Sequence, residues 1–404
     1  MKIKIKGHLR DLLAFRRLVP NRRRRIARSE TAPREPAAMN VLAGQLHPER
    51  QHLLIAEVRD ETATCKTFRL VPDIDAGTSG LAYFRAGQYL SLKVQVGGVW
   101  ITRPYSISSA PFESLGLDGF YEITVRRKSG GFLTTHIWED WQVGTGLQAS
   151  GPCGFFYHEP LRDAGKVVGL AGGSGVTPFR SMAREIVHGG MEASLLLIYG
   201  SSDQDDILFY DELEELARRA PEKIRVVHVL SCQEATLPGC EQGFITADII
   251  AKYADVGESS FFICGPPVMY RFVEGELAAF NLPPRRIRRE GYGEPEDVTV
   301  YPDYPRHLAE ETFQVTVHMA GVTTQVPAKA SETLLVALER AGLAPPSQCR
   351  SGECGCCRAH LIQGEAFTIP DSDGRRAADK QAGYLHLCAS YPLSDLELGV
   401  ARGP

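Results

Sequence analysis

Apolar and polar positions alternate in short runs over the first half of the chain. The segments "HLLIAEVRDETATCKTFRLV" (52–71), "QYLSLKVQV" (88–96), "FYEITVRRK" (120–128) and "GLQASGPCGFFYH" (146–158) are rich in β-branched and aromatic residues and are punctuated by Gly and Pro. A period of two places one face in a core and the other in water, which predicts antiparallel strands and a β-barrel over residues 49–160. The pattern then changes. "KVVGLAGGSGVTPFRSMAREIV" reads as a wholly apolar strand, a glycine turn and an amphipathic helix. The strands "ASLLLIYG", "IRVVHVL" and "SFFICG" follow, alternating with helical stretches such as "DELEELARRA". Strands apolar on both faces need helices on both sides, so residues 164–283 predict an α/β domain with a parallel sheet. A polar, Pro-rich stretch at 284–310 reads as a linker. Residues 311–404, from "TFQVTVHMA" through "ETLLVALERAG" to "LELGV", predict a short α+β unit. There are no internal repeats.

Residues 1–48 precede the barrel as a basic extension. Residues 1–36 hold twelve Lys and Arg against three acids, whereas the whole 404-residue chain has a net charge of −4, so the remainder carries −13. Within the extension Leu12, Phe15 and Val19 recur at helical spacing, Pro20 reads as a stop, and "NRRRR" follows. Such an arm is expected to be a solvated or self-packed segment, or to dock an acidic protein or make peripheral contact with an anionic membrane surface. No nucleic-acid-binding motif accompanies it.

The 43% apolar composition with 39 Gly and 25 Pro fits turn-rich globular domains. No apolar run approaches the roughly 18 residues of a membrane span, and no leader-like segment opens the chain, so a cytoplasmic location is expected. Six of the ten cysteines stand singly, which suggests reduced thiols and a metal site rather than a disulfide scaffold.

The candidate chemistry begins at Gly172, Gly173, Ser174 and Gly175, between a buried strand and a helix. Glycines there let the backbone approach a phosphate, and helix N-terminal N–H groups meet its charge; a plain tight turn has the same composition. Together with this turn, the ordered series "RPYS" (103–106), "VRR" (125–127), "GFLT" (131–134), "GPCGFF" (151–156), "GGSGVTP" (172–178) and "CGPPVM" (264–269) resembles the ferredoxin reductase family of flavoenzymes over most of residues 50–292. The resemblance implies a flavin barrel followed by a nicotinamide domain. It assigns flavin contacts to Arg103 (phosphate), Pro104, Tyr105 (packed on the isoalloxazine) and Ser106 (near flavin N5). It extends these contacts to Val125, Arg126, Gly131, Phe132, Leu133 and Thr134, the last standing where the family usually has serine. Nicotinamide contacts fall to Gly172, Gly173, Ser174, Gly175, Thr177, Pro178, Cys264, Gly265, Pro266, Pro267 and Met269. Ser106 and Cys264 are the catalytic candidates, because hydride transfer needs a close approach of the two rings that a small side chain at 264 permits. Tyr292, in "EGYG", is expected to cover the flavin.

The nicotinamide is expected to be NADH, with NADPH as the alternative, because "YGSSDQDD" (199–206) follows its strand with three aspartates and no cation to meet a 2′-phosphate. The flavin is expected to be FAD, with FMN as the alternative, since "RPYSISSAP" resembles the FAD-using branch.

Near the C-terminus, "CRSGECGCC" (349–357) crowds four cysteines into nine positions. Cys349, Cys354 and Cys357 have the Cys-x4-Cys-x2-Cys spacing of plant-type [2Fe–2S] loops, which take a distant fourth ligand; Cys388 fits. Zinc is the alternative, but its structural sites usually bring two close pairs. Gly352 and Gly355 leave room for backbone N–H groups to face cluster sulfurs. Residues 311–402 resemble a plant-type ferredoxin domain, a β-grasp fold, in which Cys356 is not a ligand.

The expected activity is an NADH-dependent flavin and iron–sulfur oxidoreductase passing single electrons to a separate acceptor protein. The module order resembles reductase components of oxygenases and demethylases and reductases serving hybrid-cluster proteins. A non-catalytic electron-transfer subunit is the alternative; such subunits place the fourth cysteine closer to the third.

Overall fold

In a computed structural model of the 404-residue chain, the described residues are 7–29, 37–232, 237–291, 293 and 297–401. The chain divides after Gly44 into two units. The first begins with α1 (His8–Ala27), and α2 (Ala38–Leu46) follows. Pro20 does not stop α1, contrary to the expectation; it lies inside the helix. Proline removes one i→i−4 hydrogen bond at a cost of about 3 kcal/mol, and the Leu-, Ala- and Arg-rich flanks are strong helix formers. Among the described residues no helix is long and apolar enough to cross a membrane.

The second unit opens with β1 (Gln51–Thr62), β2 (Cys65–Pro72), β3 (Tyr89–Val96), β4 (Val99–Ser106), β5 (Tyr121–Arg126), α3 (Phe132–Asp140) and β6 (Gly146–Ala149). These strands form an antiparallel sheet in the order β4-β3-β6-β1-β2-β5. Its two edges meet through an Ile107–Ile123 bridge and a 2.7 Å hydrogen bond from Ser108 N to Glu122 O, closing the sheet into a barrel. Alternation puts Leu53, Phe68, Leu90, Leu92 and Ile123 inside, and α3 adds Leu133 and Ile137 to the same core.

A parallel sheet follows: β7 (Lys166–Gly172), α4 (Thr177–His188), β8 (Ser194–Ser201), α5 (Tyr210–Arg219), β9 (Ile224–Leu230), β10 (Glu241–Gln242), α6 (Ala247–Tyr253), β11 (Ser259–Cys264), α7 (Pro267–Ala278) and β12 (Ile287–Glu290). The strand order is β10-β9-β8-β7-β11-β12. Its strands are buried on both faces, Phe179 and Met182 covering one side and Ile250 and Val273 the other. After β10 the chain returns to place β11 on the far side of β7. Such a reversal opens a crevice at the C-terminal ends of the two strands. β12 lies within the stretch expected to be linker, paired to β11 over Ile287–Glu290. Further along that stretch Val298 and Tyr304 pack with Ile369 and Tyr391.

The last domain comprises β13 (Thr312–Met319), β14 (Val322–Lys329), α8 (Leu334–Arg340), β15 (Arg358–Gln363), β16 (Ala366–Thr368), α9 (Ala377–Gln381), β17 (Tyr384–His386), β18 (Ser390–Pro392) and β19 (Leu396–Val400). Its main sheet, β14-β13-β19-β15-β17, is antiparallel except where β13 runs parallel to β19. α8, started by the Thr333 hydroxyl accepting from Val336 N at 3.2 Å, buries Leu334, Leu335 and Leu338 on this sheet.

Candidate active site

A cavity of about 750 Å³ lies between the barrel and the parallel sheet, at the C-terminal ends of β7 and β11. It gathers residues distant in sequence: Pro104, Tyr105 and Ser106 from β4, Val125 and Arg126 from β5, Gly172, Gly173, Ser174, Gly175 and Thr177 after β7, and Cys264, Gly265, Pro266 and Met269 after β11. One glycine is dictated by close approach: a Cβ on Gly175 would sit 2.1 Å from Cys264 O and 2.5 Å from its carbonyl carbon. The turn after β7 can therefore lie against the end of β11 only without a side chain at this position. Cys264 is fully buried, and burial, then the Glu290 carboxylate, pushes its thiol well above the ordinary range. It is a small neutral group in the crevice wall.

Arg126 crosses the cavity mouth. Its Nη1 donates to Asp206 Oδ1 and Oδ2 at 2.8 Å, and Asp206 also accepts from Thr64 Oγ1 at 3.1 Å. The Arg126 Nη2 is buried and, among the described residues, has no hydrogen-bond partner, on the side facing Gly173. A guanidinium N–H left open beside glycine-turn N–H groups is a donor set for a diphosphate, although the charge behind it is already paired with Asp206. The acidic run is correspondingly less exposed than its sequence suggests, since Asp206 is paired and the Asp203 side chain accepts from Asp206 N at 3.1 Å.

Other expected residues lie off this cavity. Arg103 is half-buried and its Nη1 donates to Thr102 O at 3.0 Å. Gly131, Phe132 and Thr134 begin α3. The Thr134 hydroxyl accepts from Lys128 N at 3.2 Å, Phe132 is 62% exposed, and Leu133 turns into the barrel core. Pro178 and Pro267 occupy the first turns of α4 and α7. Tyr292 lies outside the described residues.

The four expected metal ligands form a string. The Cys349 thiol is within hydrogen-bonding reach of Cys354 and Cys388, and Cys357 Sγ lies 3.3 Å from Cys388 Sγ. Among the described residues no three His, Cys, Asp or Glu side chains are spaced to hold a single metal ion. Zinc would draw four thiolates around one point; a string of four suits a two-iron cluster that takes two thiolates at each end. Backbone N–H groups face these sulfurs: Ser351 N and Cys354 N approach Cys349 Sγ at 3.4 Å, and Gly352 N approaches Cys388 Sγ at 3.3 Å. Gly352 has φ +79°, and a Cβ there would meet Ser372 O at 1.8 Å. Cys356 is exposed and donates to Gln348 Oε1 at 3.1 Å.

The cysteine loop rests on the barrel. Ser91 Oγ donates to Gln348 O at 2.9 Å, and Gln348 Nε2 lies 2.7 Å from Cys153 Sγ. Tyr89 stands cross-strand from Ser106, and its phenol is pushed up by burial, then by the adjacent Cys349 and Cys354. Tyr89 and Gln348 escaped the sequence reading because each acts across a domain boundary, and Glu290 because it meets Cys264 only through the β11–β12 pairing; local spacing carries no signal for either.

Known proteins match this architecture in the same order. Residues 57–158 match the oxidoreductase FAD-binding domain family, 170–275 the oxidoreductase NAD-binding domain family and 317–393 the 2Fe-2S iron-sulfur cluster binding domain family. The chain is 31% identical to the ferredoxin reductase component of 3-ketosteroid-9-alpha-monooxygenase from Mycobacterium tuberculosis, over 85% of this chain and 93% of that protein. It is 27% identical to the glycine betaine monooxygenase reductase subunit of Chromohalobacter salexigens, over 86% and 95% respectively. Among solved structures, phthalate dioxygenase reductase aligns with a TM-score of 0.61 at 24% identity, covering 87% of this chain and 98% of that one, which shows a shared fold. A barrel, a parallel sheet with its crevice and a cysteine-loop domain thus recur together, and the chain belongs to the ferredoxin reductase family of flavoproteins with a C-terminal [2Fe–2S] domain.

Proposed function

We propose that this chain is the reductase component of an oxygenase or demethylase system, taking a hydride from NADH and delivering single electrons to a separate oxygenase protein. The relatives named as monooxygenase reductases, and the stachydrine N-demethylase reductase subunit of Rhizobium meliloti (30% identical over 76% of this chain), support that class of acceptor. The observation that carries the reading is the double use of β4. Its Pro104, Tyr105 and Ser106 line the cavity shared with the parallel sheet, while the Thr102 carbonyl accepts from Arg350 of the cysteine loop at 3.3 Å. A flavin held on β4 would have the nicotinamide crevice and the cluster loop both within reach of the strand that carries it.

FAD supplies the conversion that neither partner performs, accepting two electrons as hydride and releasing them one at a time. The residues supply position. Tyr105 and Ser106 would line the flavin ring. The glycine-turn N–H groups and Arg126 Nη2 would hold a diphosphate. Cys264, small and neutral, would admit the nicotinamide ring to roughly 3–3.5 Å from its acceptor atom. Cys349, Cys354, Cys357 and Cys388 would hold the cluster. Cysteine chemistry of this kind needs reduced thiols, which supports a cytoplasmic location.

Anaerobic stopped-flow mixing with NADH tests the proposal. Flavin bleaching should come first, and cluster reduction, read by its EPR signal, second. Cluster reduction at full rate in protein stripped of flavin would overturn it.

A further inference from the structure

We propose that Glu339 is a positioning residue that locks the cluster loop onto the flavin strand, and so sets the rate of electron passage between them. The inference rests on the reading above, in which β4 carries the flavin and residues 349–357 hold the cluster.

Glu339 is next to the last residue of α8, where a carboxylate opposes the helix dipole. Its position does not serve the helix. The side chain is only 6% exposed, and its two oxygens face different domains. Oε1 accepts from Arg350 Nη1 at 2.6 Å, and Oε2 lies 3.9 Å from Arg103 Nη1. Arg350 directly follows the ligand Cys349, has a fully buried side chain and holds φ at +56°, a conformation non-glycine residues rarely adopt. Arg103 directly precedes the cavity-lining Pro104. The Thr102 carbonyl completes the arrangement, accepting from Arg103 at 3.0 Å and from Arg350 at 3.3 Å.

One carboxylate and one carbonyl thus bind two guanidinium groups, one belonging to the cluster loop and the other to the flavin strand. Buried ion pairs add little net stability compared with apolar packing, and their best-attested use is to fix register between elements. Here the register being fixed is that of the cluster relative to the flavin. Without the charge on Glu339, the two guanidinium groups lose the carboxylate they share, and the loop at Cys349 loses this tie to β4.

The test uses Glu339→Gln and Glu339→Asp in the full-length, cofactor-loaded protein. The readout is the ratio of the cluster-reduction rate to the flavin-bleaching rate after mixing with NADH, with the cluster EPR lineshape recorded in parallel. Electron transfer slows severalfold for each added ångström of separation, so a shift of that order should lower this ratio severalfold in Glu339→Gln. Glu339→Asp, which keeps the charge on a shorter arm, should recover part of it. A merely structural role would lower thermal stability and leave the ratio unchanged, and that result overturns the inference. If Glu339→Gln does not fold, the Asp variant decides by the same ratio, a wild-type value overturning the inference. A wild-type protein whose cluster is not reduced through the flavin would instead remove the functional reading on which the inference rests.

Discussion

Replacing Glu122 with glutamine should remove a clamp between the barrel and the parallel sheet, with an effect that disappears in acid. The carboxylate, on β5, is 1% exposed and accepts from Arg180 of α4 at 2.8 Å, from Arg59 at 2.9 Å and from Arg69 at 3.1 Å. Burial alone would push its pKa up; Arg180 and Arg59 outweigh burial and hold it down to about 2, against an ordinary 4.5. A depressed folded-state pKa gives stability that is fully present above the unfolded value and is lost as pH falls toward the folded one. The gap between 4.5 and about 2 corresponds to about 3 kcal/mol at pH 7 and to roughly 1 kcal/mol at pH 3. The variant also leaves Arg180, itself 4% exposed, with Glu212 as its remaining carboxylate partner at 2.9 Å, which adds to the loss at neutral pH. Urea unfolding of wild type and Glu122→Gln, followed by near-UV circular dichroism at pH 7 and pH 3, gives the comparison. Loss of bound cofactors in acid affects both proteins alike. A difference that is the same at both pH values, or smaller than about 1 kcal/mol at pH 7, would refute the reasoning.

Steady-state dye reduction should favour NADH over NADPH by at least about tenfold, or roughly 1.4 kcal/mol in transition-state binding. Asp206→Asn should narrow that preference by removing a carboxylate that repels a 2′-phosphate, and an unchanged preference would count against Asp206 as its source. Cys388→Ser should strip or badly weaken the cluster while NADH still bleaches the flavin, whereas Cys356→Ser should leave the cluster absorption and EPR signal intact. The reverse pattern would mean that the four clustered cysteines form their own site. Deleting residues 1–36 should slow reduction of an acidic acceptor and flatten its salt dependence while NADH-to-dye turnover persists. No change in either would show the basic extension to be a solvated segment.

Periodicity alone determined the kinds of the first two domains, because burying one face or both dictates how often apolar residues recur; the third was legible through its resemblance to plant-type ferredoxins. Alternation predicted the barrel, and strands apolar on both faces predicted the parallel sheet. The spacing of Cys349, Cys354 and Cys357 was equally readable, since a loop that wraps a cluster must return sulfur at set intervals along a few residues of backbone. One misreading was local: Pro20 sits within a helix because its flanks are strong helix formers. The other came from tertiary contact: the stretch expected to be linker contributes β12 to a sheet, because strand pairing depends on what lies alongside rather than on local composition. The aspartates after β8 read as bare negative charge until the fold brought Arg126, eighty residues earlier, to within 2.8 Å of Asp206. Glu339 left one faint local trace, an acid at the wrong end of a helix. Its meaning depended on Arg103 and Arg350 arriving from two other places in the chain. Electron transfer depends on distances between domains, and only three-dimensional packing sets those.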